Sequence, residues 1–380
     1  MISPDFFITT LLSQGIDFFA GVPDSLLKSM CAYITDKVDA NHHVITANEG
    51  GAVALATGYH LSTGHIGCVY MQNSGLGNVI NPLASLTDRE VYHIPMLLIV
   101  GWRGRPGVHD EPQHVKQGKV TTGLLNVMGV NYDVLSHDQE VASHQISHAI
   151  REIKKNGDVF ALVVEKDTFE PYTLTAYPTT SNLEMSREEA IIGIASRIEP
   201  NAVIVSTTGM ISRELFEYSA SKGEGHEREF LTVGSMGHAS QIALGVAMQQ
   251  PKRRVYCMDG DGAAIMHLGS MAIVGSRKSE NFVHIVFNNG AHDSVGGQPT
   301  VGFDIDFVKI ALACGYREAL RVESREGLNN LSSVLKSTNG PIFIEIRVRK
   351  GNRKDLGRPT TTPIENKESL MHFLKKGVTE

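Results

Sequence analysis

Met258-Asp259-Gly260-Asp261-Gly262-Ala263-Ala264 and, further along, Val286-Phe287-Asn288-Asn289-Gly290 decide how this chain folds. Val255 to Met258 is a short apolar run that reads as a buried strand, and the glycines after it let the backbone turn sharply at its carboxyl end. Asp261 then offers a hard carboxylate oxygen and Asn289 an amide oxygen, a donor set suited to Mg²⁺ and, through it, to a diphosphate. Residues 263–287 are long enough for one helix and the next parallel strand, which brings the two turns side by side. Either turn alone reads as an ordinary Gly-rich loop. The pair, each at a predicted strand end, marks a metal–diphosphate site contacted by Gly260, Gly262 and Ala263.

Outward from this pair the chain reads as two α/β halves, which its 380 residues accommodate. In the first half Val44–Ala47, Ile66–Met71, Met96–Val100 and Phe160–Val164 are short apolar runs separated by helical spacing. Ala202–Val205, Phe230–Val233, Val255–Met258, Val283–Phe287 and Ile342–Val348 form a second series. The alternation predicts two doubly wound parallel sheets, each covered on both faces, with ligands beyond the carboxyl ends of the strands. Lys166 to Ser186, rich in Thr and Ser and containing Pro171 and Pro178, reads as an exposed linker. The expected organisation is a domain over 1–168, a linker over 169–186 and a domain over 187–380.

Composition narrows the class. The formal net charge is -6 and no basic run suggests nucleic acid. The four cysteines, Cys31, Cys68, Cys257 and Cys314, lack metal-ligand spacing and read as small apolar residues in a reducing compartment. Met1-Ile2-Ser3-Pro4-Asp5 lacks a basic start and apolar core, and no apolar run is long enough to span a bilayer. The expectation is a cytoplasmic protein with no membrane partner.

Further segments carry chemistry. Glu49, in Thr46-Ala47-Asn48-Glu49-Gly50-Gly51-Ala52, follows a strand and opens a helix, where a carboxylate is favoured by the helix dipole. Asn73-Ser74-Gly75-Leu76-Gly77-Asn78 contains a Gly-x-Gly but not the third glycine of a dinucleotide fingerprint, so a nicotinamide dehydrogenase fits poorly. Thr207-Thr208-Gly209-Met210 reads as a helix start whose backbone donors can meet a phosphate. In Gly234-Ser235-Met236-Gly237-His238 the methionine is by default a core residue. Trp102 to His114 gathers two arginines, two histidines and two acids in one loop, and His292 to Pro299 follows the metal turn directly. As sets these supply proton donors and anion-binding groups at a strand-end face.

These segments, with Gly21-Val22-Pro23-Asp24-Ser25, Asp110-Glu111-Pro112-Gln113-His114, the run Asn288 to Thr300 and Asp355-Leu356-Gly357-Arg358-Pro359-Thr360, carry a resemblance over nearly the whole chain. It resembles the compact branch of thiamine diphosphate (ThDP)-dependent 2-oxo-acid decarboxylases that act on phosphonopyruvate or sulfopyruvate. The resemblance implies the ThDP-binding fold, with a pyrimidine-binding and a diphosphate-binding domain and no central third domain. It implies that Glu49 serves the aminopyrimidine and that Asp261, Asn289 and the Ala291 carbonyl hold Mg²⁺. Met236 would prop the cofactor, the Gly234 carbonyl would receive its amino group, and Asn73, Thr208 and Gly209 would line its site. Such sites lie between subunits, Glu49 on one chain and Asp261 on the other, which makes a homodimer the minimum unit.

The implied reaction converts phosphonopyruvate, a small 2-oxo acid with an anionic tail, to phosphonoacetaldehyde and carbon dioxide in phosphonate biosynthesis. Asp24, His109, His114 or His292 would supply the proton, histidine because it changes charge near neutral pH. Ser25, Arg103, Arg105 and Gln298 would hold the tail, arginine being the natural partner of such an anion. Sulfopyruvate is the alternative substrate. Sulfopyruvate enzymes are commonly split into two subunits, so a fused chain leans toward phosphonopyruvate. A non-catalytic binding protein is disfavoured by the intact Glu49, Asp261 and Asn289.

Overall fold

A computed structural model describes residues 1–177, 182–337 and 339–376. The chain forms two compact units, one of Met1–Pro178 with His292–Pro299, the other of Thr179–Ala291 with Thr300–Glu380. The first holds strands β1 (Phe19–Gly21), β2 (His43–Ile45), β3 (Gly67–Gln72), β4 (Met96–Gly101), β5 (Asn131–Val134) and β6 (Val159–Val164). The second holds β7 (Val203–Ser206), β8 (Glu229–Leu231), β9 (Val255–Gly260), β10 (Phe282–Asn288), β11 (Glu318–Val322) and β12 (Ile342–Arg347).

Each sheet has six strands, ordered β2-β1-β3-β4-β6-β5 and β11-β12-β10-β9-β7-β8, with every pairing parallel. Read from β8, the second order repeats the first strand for strand, so the two units share one winding. The central strands are apolar on both faces: Leu97, Leu98 and Ile99 of β4 and Val283, Ile285 and Val286 of β10 are fully buried. That is the signature of a parallel sheet with helices on each side. Each sheet accordingly packs one hydrophobic cluster on either face. The winding reverses between β1 and β3 in one unit and between β7 and β9 in the other, and crevices at such points receive ligands.

The predicted runs all fall on strands, with ends shifted by a few residues, but β1, β5 and β11 are absent from that reading. β1 has three residues, while β5 (Asn-Tyr-Asp-Val) and β11 (Glu-Ala-Leu-Arg-Val) are half-buried edge strands with polar sequences. The single helix expected between the two turns is two, Asp261–Met266 and Gly269–Arg277, interrupted at His267 and Leu268. The next strand is nevertheless parallel as predicted. Its register sets Val286 beside Asp259 and Phe287 beside Gly260.

No helix or strand separates β6 from the helix Arg187–Ala195 among the described residues, so no third domain intervenes. The expected exposed linker is docked in its first part. Phe169 is buried against Phe7, Glu170 N–H reaches Ile2 O at 2.9 Å, and Asp36 accepts from the Tyr172 hydroxyl and the Thr175 and Ala176 N–H groups. Apolar Phe169 and the hydrogen-bonding demand of Asp36 outweigh the Thr/Ser composition. Pro178 lies outside the described residues. Cys31, Cys68 and Cys257 are buried thiols and Cys314 is half-buried. Among the described residues no helix is long and apolar enough to cross a membrane.

Candidate active site

Each unit carries one constellation at the carboxyl ends of its strands. In the second unit β9 delivers Asp261 as the first residue of the helix Asp261–Met266, only 3% exposed. The Thr300 hydroxyl donates to Asp261 Oδ2, and the Asn289 and Gly262 N–H groups also stabilise the carboxylate. Burial outweighs them and pushes its pKa up to about 6. Asn289 is buried beside it, its Oδ1 accepting the Ala291 N–H at 3.0 Å. A side chain at Gly302 would place its Cβ 2.7 Å from Asp261 Oδ2 and 2.6 Å from Asn288 Oδ1, so this cradle needs glycine. Carboxylate, amide and carbonyl oxygens are hard donors, and this set fits Mg²⁺.

Sequence reasoning missed Thr300 and Asn288. Asn288 is a strut, donating to Gly302 O at 2.6 Å and Glu345 Oε1 at 2.8 Å while accepting from Gly290 N–H at 3.1 Å. Its place on a fully buried strand was the available signal.

Thr208 and Gly234 come from the loops after β7 and β8, and the Gly234 N–H donates to Thr208 Oγ1 at 3.1 Å. Gly209, with φ 98°, precedes the helix Met210–Ser221. Met236 is half-buried in a loop where Gly234, Ser235 and Gly237 all have positive φ, so it is not a core residue. Gly260, Gly262 and Ala263 lie at the end of β9 and in the first turn after it.

In the first unit Glu49 heads the helix Glu49–Thr63, with Asn48 capping it through Gly51 N–H at 2.9 Å. It is 5% exposed, and Oε2 accepts from Asn78 Nδ2 at 2.6 Å. Gly75 packs so closely that a Cβ there would lie 2.5 Å from Glu49 Oε1. The carboxylate is thus held in a poorly solvated place, beyond what a helix-dipole role requires. Asn73, expected at the cofactor, is engaged otherwise: it donates to Arg103 O at 2.8 Å and Thr121 Oγ1 at 2.9 Å and accepts from Arg103 N–H at 3.2 Å. It braces the loop after β4.

Asp24 is fully buried at the end of β1, accepting from Gln72 Nε2 at 2.6 Å and Leu26 N–H at 3.0 Å. Burial raises its pKa against those bonds and against Arg103. Ser25, Arg103, Arg105, His109 and Asp110 line a cavity of about 370 Å³. Neither arginine is free in it. Arg103 grips both Asp110 oxygens, Nε at 2.8 Å, and its Nη1 reaches Ser25 Oγ at 2.5 Å. Burial works upward on Asp110, but Arg103 and the Gly104 N–H hold it below the usual carboxylate range. Arg105 pairs with Glu165 at 2.7 Å.

The histidines expected as proton donors lie in unlike surroundings. His114, 8% exposed with Nδ1 buried and unpartnered, is pushed down to about 4 by burial and Arg103. Burial likewise pushes His292 down to about 4. Both are neutral at pH 7 and do not change charge there. His109 is exposed. Gln298 is fully buried, its Nε2 donating to Lys28 O at 3.3 Å and its Oε1 without a partner.

Residues 4–124 match the family described as "Thiamine pyrophosphate enzyme, N-terminal TPP binding domain", and residues 207–346 match "Thiamine pyrophosphate enzyme, C-terminal TPP binding domain". A Streptomyces viridochromogenes protein named phosphonopyruvate decarboxylase is 35% identical, over 96% of this chain and 93% of its own. One of the same name from Streptomyces hygroscopicus is 34% identical, over 98% and 94%. A Methanosarcina acetivorans sulfopyruvate decarboxylase is 25% identical, over 93% of each chain.

Proposed function

The chain belongs to the phosphonopyruvate decarboxylase family of thiamine pyrophosphate enzymes, and on that premise we propose that it decarboxylates 3-phosphonopyruvate without oxidation, using ThDP and Mg²⁺. The reaction takes up one proton and yields phosphonoacetaldehyde and carbon dioxide, a step of phosphonate biosynthesis. The observation that carries the reading is the buried pair of turns, Asp261 and Asn289, matched by a buried Glu49 in the other unit.

When bound, ThDP supplies the carbanion-stabilising chemistry of decarboxylation. Asp261, Asn289 and the Ala291 carbonyl would hold the metal. Glu49, oriented by Asn78, would hydrogen-bond the aminopyrimidine ring of the cofactor and share a proton with it. Met236 and the Gly234 carbonyl would support the cofactor from the loop after β8. Asp24 keeps its proton to higher pH than an ordinary carboxyl group and so is suited to give the one the product needs. His114 and His292 act as neutral N–H groups. The phosphonate is held by exchange: Arg103, positioned by Asp110 and Ser25, turns its fork to the tail, with Arg105 and Gln298 beside it.

A second copy of the chain completes each site, with Glu49 from one protomer and Asp261 from the other. Leu55, 42% exposed, lines an open groove with Gly51, Ala54 and Gly58 on the helix that starts at Glu49, which supports a covered face there.

Chain length does not separate phosphonopyruvate from sulfopyruvate, because the Methanosarcina relative also covers both halves in one chain. A fused chain therefore does not by itself favour phosphonopyruvate, whereas the higher identity to the Streptomyces proteins does. ³¹P NMR of protein incubated with phosphonopyruvate tests the reading. Appearance of phosphonoacetaldehyde only with ThDP and Mg²⁺ is expected. An unchanged spectrum, or release of inorganic phosphate, would count against it.

A further inference from the structure

Behind the metal turn lies a buried polar chain that the proposed reaction does not use. Among the described residues, Cys257, Asp259 and His284 bring their polar atoms within 4.8 Å of one another. Asp259 and His284 are each 1% exposed. Asp259 Oδ2 lies 3.5 Å from His284 Nε2, and each of these two buried atoms is without a hydrogen-bond partner. Their other ends are tied. Asp259 Oδ1 accepts the Gly260 N–H at 3.0 Å, and His284 Nδ1 meets the Tyr316 hydroxyl at 3.0 Å.

Strand register produces the arrangement. His284 of β10 lies opposite Cys257 of β9, which puts Cys257, Asp259 and His284 on one face of the sheet. Phe282, Tyr316 and Phe343 surround the imidazole. Burial pushes the Tyr316 phenol well above its ordinary pKa, so it keeps its proton. With that hydroxyl donating to Nδ1, the imidazole proton sits on Nε2, the ring nitrogen 3.5 Å from Asp259 Oδ2. Burial also raises Cys257 well above its ordinary value, so it stays a thiol and serves as a wall.

A buried polar pair is poor value for stability, since well-packed apolar residues of similar volume do as well or better. Its location suggests another use. Asp259 is bonded to the N–H of the glycine directly before Asp261, in a turn whose glycines leave the backbone little intrinsic preference.

We propose that Tyr316, His284 and Asp259 form a positioning relay that fixes the Gly260–Asp261 turn for metal binding. The relay rests on the reading of Asp261 as a metal ligand. Tyr316 sets the imidazole proton, His284 orients the carboxylate, and Asp259 clamps the turn. Groups hydrogen-bonded directly to metal ligands change metal affinity by about 10- to 100-fold when removed, and the relay, acting one residue away through the Gly260 N–H, falls at the lower end of that range.

The test uses the full chain and the variants Asp259→Asn, His284→Gln and Tyr316→Phe, with thermal unfolding to establish folding. Calorimetric titration with Mg²⁺ at fixed ThDP is then compared with kcat at saturating cofactor. The relay predicts an Mg²⁺ Kd raised about 10-fold or more in Asp259→Asn and His284→Gln and less in Tyr316→Phe, with kcat at saturation falling by a smaller factor. It also predicts that the double variant Asp259→Asn/His284→Gln binds Mg²⁺ no more weakly than the worse single variant. Folded Asp259→Asn with unchanged Mg²⁺ affinity would overturn the relay, as would effects that simply add. Asp261→Ala separates the two readings: if it leaves Mg²⁺ binding intact, the metal site itself is misassigned.

Discussion

Lowering the pH from 7 to 5 should weaken Mg²⁺ binding about tenfold through Asp261 alone. Its carboxyl pKa is raised from 3.8 to about 6 by burial, so a proton and the cation compete for it in this window. With that value about nine-tenths of the group is ionised at pH 7 and about one-tenth at pH 5, a loss of about 1.4 kcal/mol in apparent metal affinity. The sign for folding is opposite. The folded metal-free protein binds this proton more tightly than the unfolded chain does. At this group its stability therefore grows as pH falls from about 6 toward 4 and is lost above that. Bound cation requires the charged form and reverses the trend. The assay is calorimetric Mg²⁺ titration at pH 5, 6 and 7 on wild type and Asp261→Asn, the difference removing titrations elsewhere. Equal pH slopes in the two proteins would refute the reasoning.

Other perturbations follow from the same geometry. Glu49→Gln should lower kcat about 10²- to 10⁴-fold, the usual range for a lost proton-transfer group, while calorimetry finds ThDP binding largely retained. Arg103→Lys removes the planar fork and should lower kcat/KM for phosphonopyruvate about 10- to 100-fold, matching about 1.5–3 kcal/mol for charge-assisted bonds, with little change for pyruvate. Ile99→Ala, at a fully buried site in β4, should destabilise the first unit by about 2–5 kcal/mol in urea unfolding.

The most legible parts of the sequence were those whose physics is local. Met258 to Ala264 carries its strand, turn and metal donor within one short segment, and runs such as Met96–Val100 read as buried strands from their length and their Gly flank. β5 and β11 were hidden because edge strands need bury only part of their length, and their polar residues mask the periodicity. Site residues supplied by distant segments were hidden for a different reason. Thr300 reaches Asp261 and Asn78 reaches Glu49 only once the fold brings them together. The arginines were legible as cations but not as already paired ones. Asp110 stands in the same loop as Arg103, and that proximity was the missed clue. Burial of His114 and His292 was equally invisible, and it is burial that moves their titration well below neutral pH.

The central claim is tested most directly by cofactor-dependent kcat/KM for carbon dioxide release from phosphonopyruvate, sulfopyruvate and pyruvate. The account predicts a strong preference for phosphonopyruvate that vanishes when ThDP or Mg²⁺ is withheld. Preference for sulfopyruvate, or no release from any of the three by protein with ThDP bound, would contradict it.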